Sequence, residues 1–438
     1  MASKAFVAPI IRQVTARGYA QAAAHIRSEP KISSAVLPNK VFVAAIDNGA
    51  PVTRVTVAFR AGARYEPQTE LGISHVLRSA AGLTTKNASS FIIARKLAQL
   101  GASVSASGDR EFIYYTLEAT QDNLQPALEL LNNIVSNQEF RPWELDDNLS
   151  RLKYDIAALP PQVRAVDLLH KAAFRRGLGN SLFISPRRIG KISSESLQHF
   201  ASTNVALGHC AITVVGDTLD KANTLGQLLK LGEGSNNLGQ PTKYHGGEIR
   251  KEMGGDFAHV TIAVQGAPAG TPQALALAAA AKALGCGPVT KWGSDNSVLG
   301  KAIGNIGPFA AAGFNVSYSD GGLFGVVLTV PKDEAKTAVK AAAGVLKNPA
   351  LNANAIMAGK NQLKLQVLSE ADAGTSLAEA LAAQGLYCGK VSSPSEIARS
   401  IDQLSNNDVI NVLSSVCSSR ISMGCAGNLA FVPYADEL

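Results

Sequence analysis

The chain has 438 residues and a formal net charge of +7; with 46% hydrophobic and 17% charged residues it can bury a large core across two or three domains of about 150 residues, and disorder throughout is excluded. Aromatics make up only 6%, which favours helix-rich packing over an all-β sandwich, and the longest apolar stretch of the Ala-rich region, Ala274 to Ala281, is far short of the roughly 20 residues of a spanning helix. Cys210, Cys286, Cys388, Cys417 and Cys425 stand apart with no CxxC pair, which excludes a disulfide framework and a Cys-pair zinc finger and fits a reducing compartment.

In chain order, the first acidic residue is Glu29, preceded by Lys4, Arg12, Arg17 and Arg27 among Ser, Thr, Ala and apolar residues. This is the composition of a mitochondrial transit peptide, and the apolar run Phe6 to Ile11, broken by Pro9, is too short for a secretory signal. Arg17 lies three residues before a cut at Tyr19–Ala20, so residues 1–19 are expected to be removed, taking three basic residues and lowering the net charge from +7 to +4. No Lys/Arg block with interleaved aromatics points to nucleic acid. The terminal Ala435-Asp-Glu-Leu438 is not an endoplasmic-reticulum signal without a secretory leader.

Residues 20–235 form the first expected domain. Strands are expected at Val41 to Ile46 and Thr53 to Phe59, followed by an amphipathic helix pair. The first of these, 71–82 (LGISHVLRSAAG), places Ile73, Val76, Leu77, Ala80 and Ala81 on one apolar stripe and His75, Arg78 and Ser79 on the opposite side. The second ends at a Gly101 cap before chain enters the sheet, and a strand follows at Glu111 to Glu118. Ser193 starts a late helix, and Ala211 to Val215 closes the unit. The Gly- and Asn-rich residues 236–247 are a linker, with the boundary near residue 240.

The second domain, 248–438, repeats the first. Val55-Thr-Val-Ala58 and Pro67-Gln68 recur as Val260-Thr-Ile-Ala263 and Pro272-Gln273, an offset of 205. Val104-Ser-Ala-Ser107 and Phe112 match Val316-Ser-Tyr-Ser319 and Phe324 at 212, and Leu152-Lys153 and Gly216-Asp217 match Leu363-Lys364 and Gly427-Asn428 at 211. A strand is expected at Gly322 to Val330, a capping box at Ser405/Asp408 and a closing strand at Ile421 to Ala426. The grouping predicts an α+β fold of two homologous α/β domains, each a mostly antiparallel sheet with helices on one face. The Ala-rich helices near 334–346 and 374–383 read as surfaces for other helices.

Other candidate sites carry less. Gly285-Cys-Gly-Pro288, with Gly293, lacks the Lys-Ser/Thr of a phosphate loop and reads as a turn. His25, His170, His199, His209, His245 and His259 show no ligand spacing, and Cys210 beside His209 reads as a buried thiol.

The segment His75-Val76-Leu77-Arg78-Ser79 resembles a degenerate inverzincin motif, in which His-x-x-Glu-His sets two zinc-binding imidazoles one turn apart beside a general-base Glu. Here Arg78 stands at the base position and Ser79 at the second ligand position. A guanidinium ~4 Å from a divalent ion would be repelled by about 8 kcal/mol at an effective dielectric of ~20. The resemblance puts the distal acidic ligand near Ile156, beside Asp155, and a second carboxylate near Asn148. His75 then reads as a polar helix-face histidine, and the chain is expected to have no catalytic, cofactor-binding or metal-binding residue.

With the paired halves and the leader, this segment resembles the mitochondrial processing peptidase family, and within it the core-protein branch of ubiquinol–cytochrome c reductase (respiratory complex III). Tyr244–Arg250 (YHGGEIR), Phe314–Gly325 (FNVSYSDGGLFG), Gly427–Leu429 and Pro433–Leu438 (PYADEL) carry the resemblance, which covers essentially the whole chain after the leader. It implies a bowl-shaped half-shell, peripheral to the matrix side of the inner membrane, that pairs with core protein 1 and supports cytochrome b, cytochrome c1 and the Rieske protein. The cleaved Rieske presequence can stay in the enclosed cavity. It also implies that the haems and the 2Fe–2S cluster belong to partner subunits and that the role is structural. The alternative within the family is a non-catalytic, presequence-binding α-type subunit of the processing peptidase, usually longer and with a longer glycine-rich loop.

Overall fold

The computed structural model describes residues 31–232, 234, 239, 241–285, 297–304 and 306–438. The expected leader at 1–19, part of the linker, and Cys286 with Gly293 fall outside the described residues. The first half runs β1 (Ile32–Val36), β2 (Phe42–Ile46), β3 (Val52–Phe59), α1 (Ile73–Ser79), α2 (Ser90–Leu100), β4 (Ser103–Gly108), β5 (Ile113–Thr120), α3 (Leu124–Ser136), α4 (Pro142–Ala157), α5 (Pro161–Phe174), α6 (Ser194–Asn204), β6 (Cys210–Val215) and α7 (Leu219–Leu228). The second runs β7 (Gly247–Glu252), β8 (Phe257–Gly266), α8 (Pro272–Leu284), α9 (Val298–Ile303), β9 (Ala310–Ser317), β10 (Gly322–Pro331), α10 (Ala335–Lys347), α11 (Ala353–Asp372), α12 (Thr375–Cys388), α13 (Pro394–Gln403), α14 (Asn406–Cys417) and β11 (Ser422–Gly427).

Local chemistry sets many of the ends. Gly101, with φ of 62°, closes α2, its N–H donating to the carbonyls of Ala98 and Leu97. The Ser193 hydroxyl accepts the Ser196 N–H to start α6, and Ser405 with Asp408 forms a reciprocal capping box on α14.

The strand orders are β1-β2-β6-β3-β5-β4 and β7-β11-β8-β10-β9. In each sheet one neighbouring pair is parallel, β2 with β6 and β7 with β11, and every other pair is antiparallel. Removing β1 leaves two sheets of identical topology. Their registers carry the repeat: Val55 faces Val214 as Val260 faces Cys425, and Val57 faces Tyr115 as Ile262 faces Val326. Gly216 and Gly427, at φ of 94° and 107°, end the closing strands in the same left-handed turn. The register corrects one part of the sequence repeat. Val104 faces Leu117 as Ala311 faces Leu328, so the equivalent of Val104 is Ala311 rather than Val316, and Ile113 rather than Phe112 corresponds to Phe324. Short Ser-rich strings matched across a shifted hairpin.

Helices cover both faces of each sheet, not one. Inward residues such as Val43, Val55, Val57, Tyr115 and Ile212 pack with helices of their own half. The alternate residues Phe42, Ala44, Ala58, Tyr114 and Ala211 meet Ala382 and Leu386 of α12, and Ile46 and Val215 meet Leu377, Ala378 and Leu381. The second sheet reciprocates: Ala263 and Leu323 pack against Leu169, Ala173 and Phe174 of α5. Each half thus lends one 14-residue helix to the other half's sheet. The loan explains why β6 and β11 are buried at every residue instead of alternating. The Ala-rich α12, expected to meet helices, lies on strands.

Small residues let these helices approach the strands. A Cβ on Gly424 would meet the Ala165 carbonyl oxygen and the Leu169 nitrogen, both at 2.4 Å. Buried threonines on the borrowed faces reach the exchanged helices: Thr213 Oγ1 donates to Ala378 O (2.8 Å) and Thr261 Oγ1 to Ala165 O (3.0 Å).

A polar knot joins the halves where β5 begins. Arg64 donates to Glu111 (2.7 Å) and to both carboxylate oxygens of Asp320 (2.8 and 2.5 Å). Glu111, fully buried, also accepts the Ser319 N–H (2.9 Å) and hydroxyl (2.5 Å). Nearby, the Tyr318 hydroxyl and His170 Nε2 lie 2.9 Å apart, while His170 Nδ1 donates to Val166 O (2.8 Å). Burial works against the charge of Asp320, but the Arg64 guanidinium and the Thr242 N–H outweigh it and hold its pKa below the ordinary value. At the far edge of the second sheet, Arg250 donates to Leu429 O, Val432 O and Pro433 O and lies 4.3 Å from the Tyr434 ring centroid, pinning the C-terminal segment beside β7.

Two predictions follow from this packing. Gly424→Val should destabilise the protein by about 3 kcal/mol through overpacking against the α5 backbone, whereas Gly344→Ala, at an exposed helical site with open space, should stabilise it by about 0.5–1 kcal/mol; urea midpoints compare them. Asp320 has a depressed folded pKa, so its contribution is fully present above the unfolded value of about 3.9 and is lost as pH falls through the folded value. Asp320→Asn should therefore cost about 1–2 kcal/mol at neutral pH and flatten the loss of stability below pH ~4. An acid limb identical in both proteins would contradict the assignment.

Candidate functional site

The residues singled out in 71–82 sit on a helix shorter than expected: α1 spans seven residues, and Ala80 is its C-cap. It is set by Glu66, whose carboxylate accepts the Gly72 N–H (2.8 Å) and both the N–H (3.0 Å) and hydroxyl (2.5 Å) of Ser74. Burial raises the Glu66 pKa to about 7 against the pull of these donors. Gly72 turns into the helix at φ of 96°, and a Cβ there would lie 2.6 Å from Ile184 Cα.

Both sides of α1 are packed. His75 is only 6% exposed, which corrects its reading as a polar helix-face residue. Its ring meets Phe183 edge-on at 5.6 Å, and Nδ1 accepts the Ile184 N–H at 3.3 Å. A neutral imidazole that accepts at Nδ1 carries its proton on Nε2. That Nε2 lies 3.8 Å from Asp155 Oδ2. Burial, reinforced by Arg78, pulls the His75 pKa down to about 4, while Asp155 acts in the opposite direction. The ring is therefore neutral at physiological pH, and the contact with Asp155 is not an ion pair.

The remaining positions are hydrogen-bonded to the fold. Arg78 donates to Leu182 O at 2.8 Å, and Gly108 makes room for it, since a Cβ there would lie 2.8 Å from Arg78 Cδ. Asn148 Nδ2 donates to Ser79 Oγ at 2.8 Å. On α4, Asn148 and Asp155 stand two turns apart and face His75 and Ser79, one turn apart on α1. The acidic residue brought to His75 is Asp155, while Ile156, the position expected from the resemblance, is buried in the core. Among the described residues the arrangement offers one imidazole, His75, and one carboxylate, Asp155, with the Arg78 guanidinium close by, short of the ligand set that zinc takes. Among the described residues no cluster of three or more His, Cys, Asp or Glu side chains is placed to hold a metal ion.

The other candidates do not join this helix pair. Cys210 opens β6 within the core, where burial raises its thiol pKa. His170 belongs to the joint, and His259 bonds Thr329 Oγ1 at 3.0 Å. Sequence reading missed the knot of Arg64, Glu111 and Asp320. Its signal was the charged run Asp109-Arg110-Glu111 entering an otherwise apolar strand, which a buried chain keeps only when each charge has a partner.

Two family models match the chain: "Insulinase (Peptidase family M16)" over residues 42–185 and "Peptidase M16 inactive domain" over 191–363. The chain is similar to human "Cytochrome b-c1 complex subunit 2, mitochondrial", 34% identical over 92% of this chain and 91% of the relative. It is 29% identical to the protein of the same description from Cryptococcus neoformans, over 91% of this chain and 92% of the relative. To the "Probable mitochondrial-processing peptidase subunit alpha-1, mitochondrial" of Arabidopsis thaliana it is 25% identical, over 93% and 84%. A chain in the structure "Complex III2 from Candida albicans, Inz-5 bound" shares the fold at a TM-score of 0.79 and 20% identity, over 92% of this chain and 98% of that one.

The tautomer and pKa of His75 can be read directly. In protein labelled with 15N-histidine, its ring should stay neutral with the proton on Nε2 down to about pH 4. Because the folded pKa is depressed, its stability contribution is present above the unfolded value of about 6.5 and declines as pH falls from there toward about 4. His75→Phe should remove that part of the acid sensitivity; a titration midpoint near 6.5 in the folded protein would refute the geometry.

Proposed function

This chain belongs to peptidase family M16, in the branch of the mitochondrial cytochrome b-c1 complex subunit 2 proteins, and from that premise we propose that it is core protein 2 of ubiquinol–cytochrome c reductase, a non-redox structural and assembly subunit of respiratory complex III. The observation that carries this reading is the state of the α1–α4 pair. A peptidase would need two neutral imidazoles, a carboxylate base and an acidic ligand around one ion. Here, among the described residues, His75 is the one imidazole at the pair, Arg78 stands at the base position, and Ser79 is engaged by Asn148. The pair retains its packing role, and no hydrolytic step is assigned to it.

The expected organisation follows the same reading: a leader at 1–19 removed on import, peptidase-like units at 20–235 and 248–438 joined by 236–247, and a half-shell facing core protein 1 on the matrix side of the inner membrane. Cytochrome b, cytochrome c1 and the Rieske protein with its presequence are the partners, and they carry the haems and the 2Fe–2S cluster. Among the described residues no helix is long and apolar enough to cross a membrane, which fits peripheral attachment. The α-type processing-peptidase reading has weaker support, since that relative is 25% identical against 34% for the human subunit 2.

Blue-native electrophoresis of detergent-extracted mitochondria should find the chain co-migrating with cytochromes b and c1. A chain running free of them, or isolated protein that retains stoichiometric zinc and cuts presequences in a chelator-sensitive way, would overturn the reading.

A further inference from the structure

A cavity of about 860 Å³ opens between the first half and the chain leaving the linker, beside the Arg64 knot. Arg175, Arg176 and Lys243 line it. All three side chains are exposed, and none has a hydrogen-bonding or ionic partner among the described residues. The neighbouring cations differ: Arg64 is neutralised by Glu111 and Asp320, and Arg110 by Asp167 at 2.7 Å. The cavity's own acids are engaged, Glu66 by the start of α1 and Glu70 by the Ser196 hydroxyl. Glu66 and Glu70 share the cavity, but among the described residues no carboxylate pairs with Arg175, Arg176 or Lys243. His245, on the same wall, has its pKa lowered by burial and by the nearness of Arg175 and Lys243, so the three groups share one field.

The backbone is bent to make this arrangement. Arg175 sits at φ of 62° and ψ of −51°, and the Arg176 N–H donates to Phe174 O at 2.7 Å. This is a γ-turn of the rare, strained hand, held here by a residue that is not glycine. It places two guanidinium forks on successive residues at the cavity wall. Such forks match the paired oxygens of phosphate groups, and an ammonium adds a third point of charge. Tyr65, Phe174 and Phe200 supply aromatic wall, and the volume lies within the range of small-ligand sites.

We propose that this cavity binds a small phosphate-bearing polyanion, held by Arg175, Arg176 and Lys243. The site lies apart from the α1–α4 pair and does not depend on the role assigned to the chain in its assembly. Inorganic pyrophosphate and ATP are the probes, titrated calorimetrically into the full chain at low ionic strength. At least one should bind, more weakly as salt is raised; tighter binding of ATP would add the aromatic wall to the contact. Arg175→Gln/Arg176→Gln should weaken binding about tenfold or more, and Lys243→Gln less. Arg175→Lys/Arg176→Lys should recover part of the loss, which separates charge from any effect of the strained turn. Arg95→Gln/Lys96→Gln, an exposed basic pair on α2, should leave affinity unchanged. Thermal melts check that each variant is folded. Absence of binding by both probes, equal affinity in wild type and the Arg175/Arg176 variants, or an equal loss in the α2 variant would overturn the proposal.

Discussion

The structure depends on an exchange of helices. Each sheet has two apolar faces, and the helices of its own half lie on one of them. α5 covers the second sheet and α12 the first, so neither sheet can keep its outer face dry without the other half. Burying a side chain such as Leu169 or Leu381 contributes roughly 1.5–3 kcal/mol relative to leaving it exposed. The exchange spreads many such residues across the joint. Its closeness comes from glycine and alanine on both partners, which let helix backbone approach strand backbone at Gly424 and let the Phe42 ring approach Gly385. The knot of Arg64, Glu111 and Asp320 then orients the halves, because a guanidinium and a carboxylate at that depth are tolerated only beside each other.

This architecture explains how a peptidase-like helix pair persists without peptidase chemistry. α1 is clamped at its start by Glu66, packed through Ile73, Val76 and Leu77, and tied across by Ser79 to Asn148 and by Arg78 to Leu182. Hydrogen bonds and packing hold the two helices together. At Arg78, burial disfavours the charge, while Glu66, Asp109 and Asp155 act to retain it. A residue that would expel a divalent ion has become part of the local packing.

The two ends of the joint contrast in charge. At the knot, each cation meets a carboxylate inside the fold. At the cavity beside it, Arg175 and Arg176 are left facing open volume by a strained turn. The same guanidinium chemistry is self-contained in one place and directed outward in the other. What differs is whether a carboxylate of the described chain pairs with the guanidinium.

Much of the fold was legible in the residues because it rests on local rules. Strand positions, the Gly101 cap, the Ser193 and Ser405 caps and the duplicated plan follow from side-chain period, turn chemistry and repeated spacing. That residues 75–79 read His-Val-Leu-Arg-Ser needs only the sequence. The tertiary structure alone decided which face of each sheet receives the other half's helix, that Ala311 rather than Val316 stands where Val104 does, and that His75 is buried with its proton on Nε2. The burial of His75 and the meeting of the halves rest on contacts between residues more than 100 positions apart, such as His75 with Ile184 and Arg64 with Asp320, and the hairpin register on backbone pairing. Period and propensity report what one segment can bury; only the folded chain settles what it is buried against.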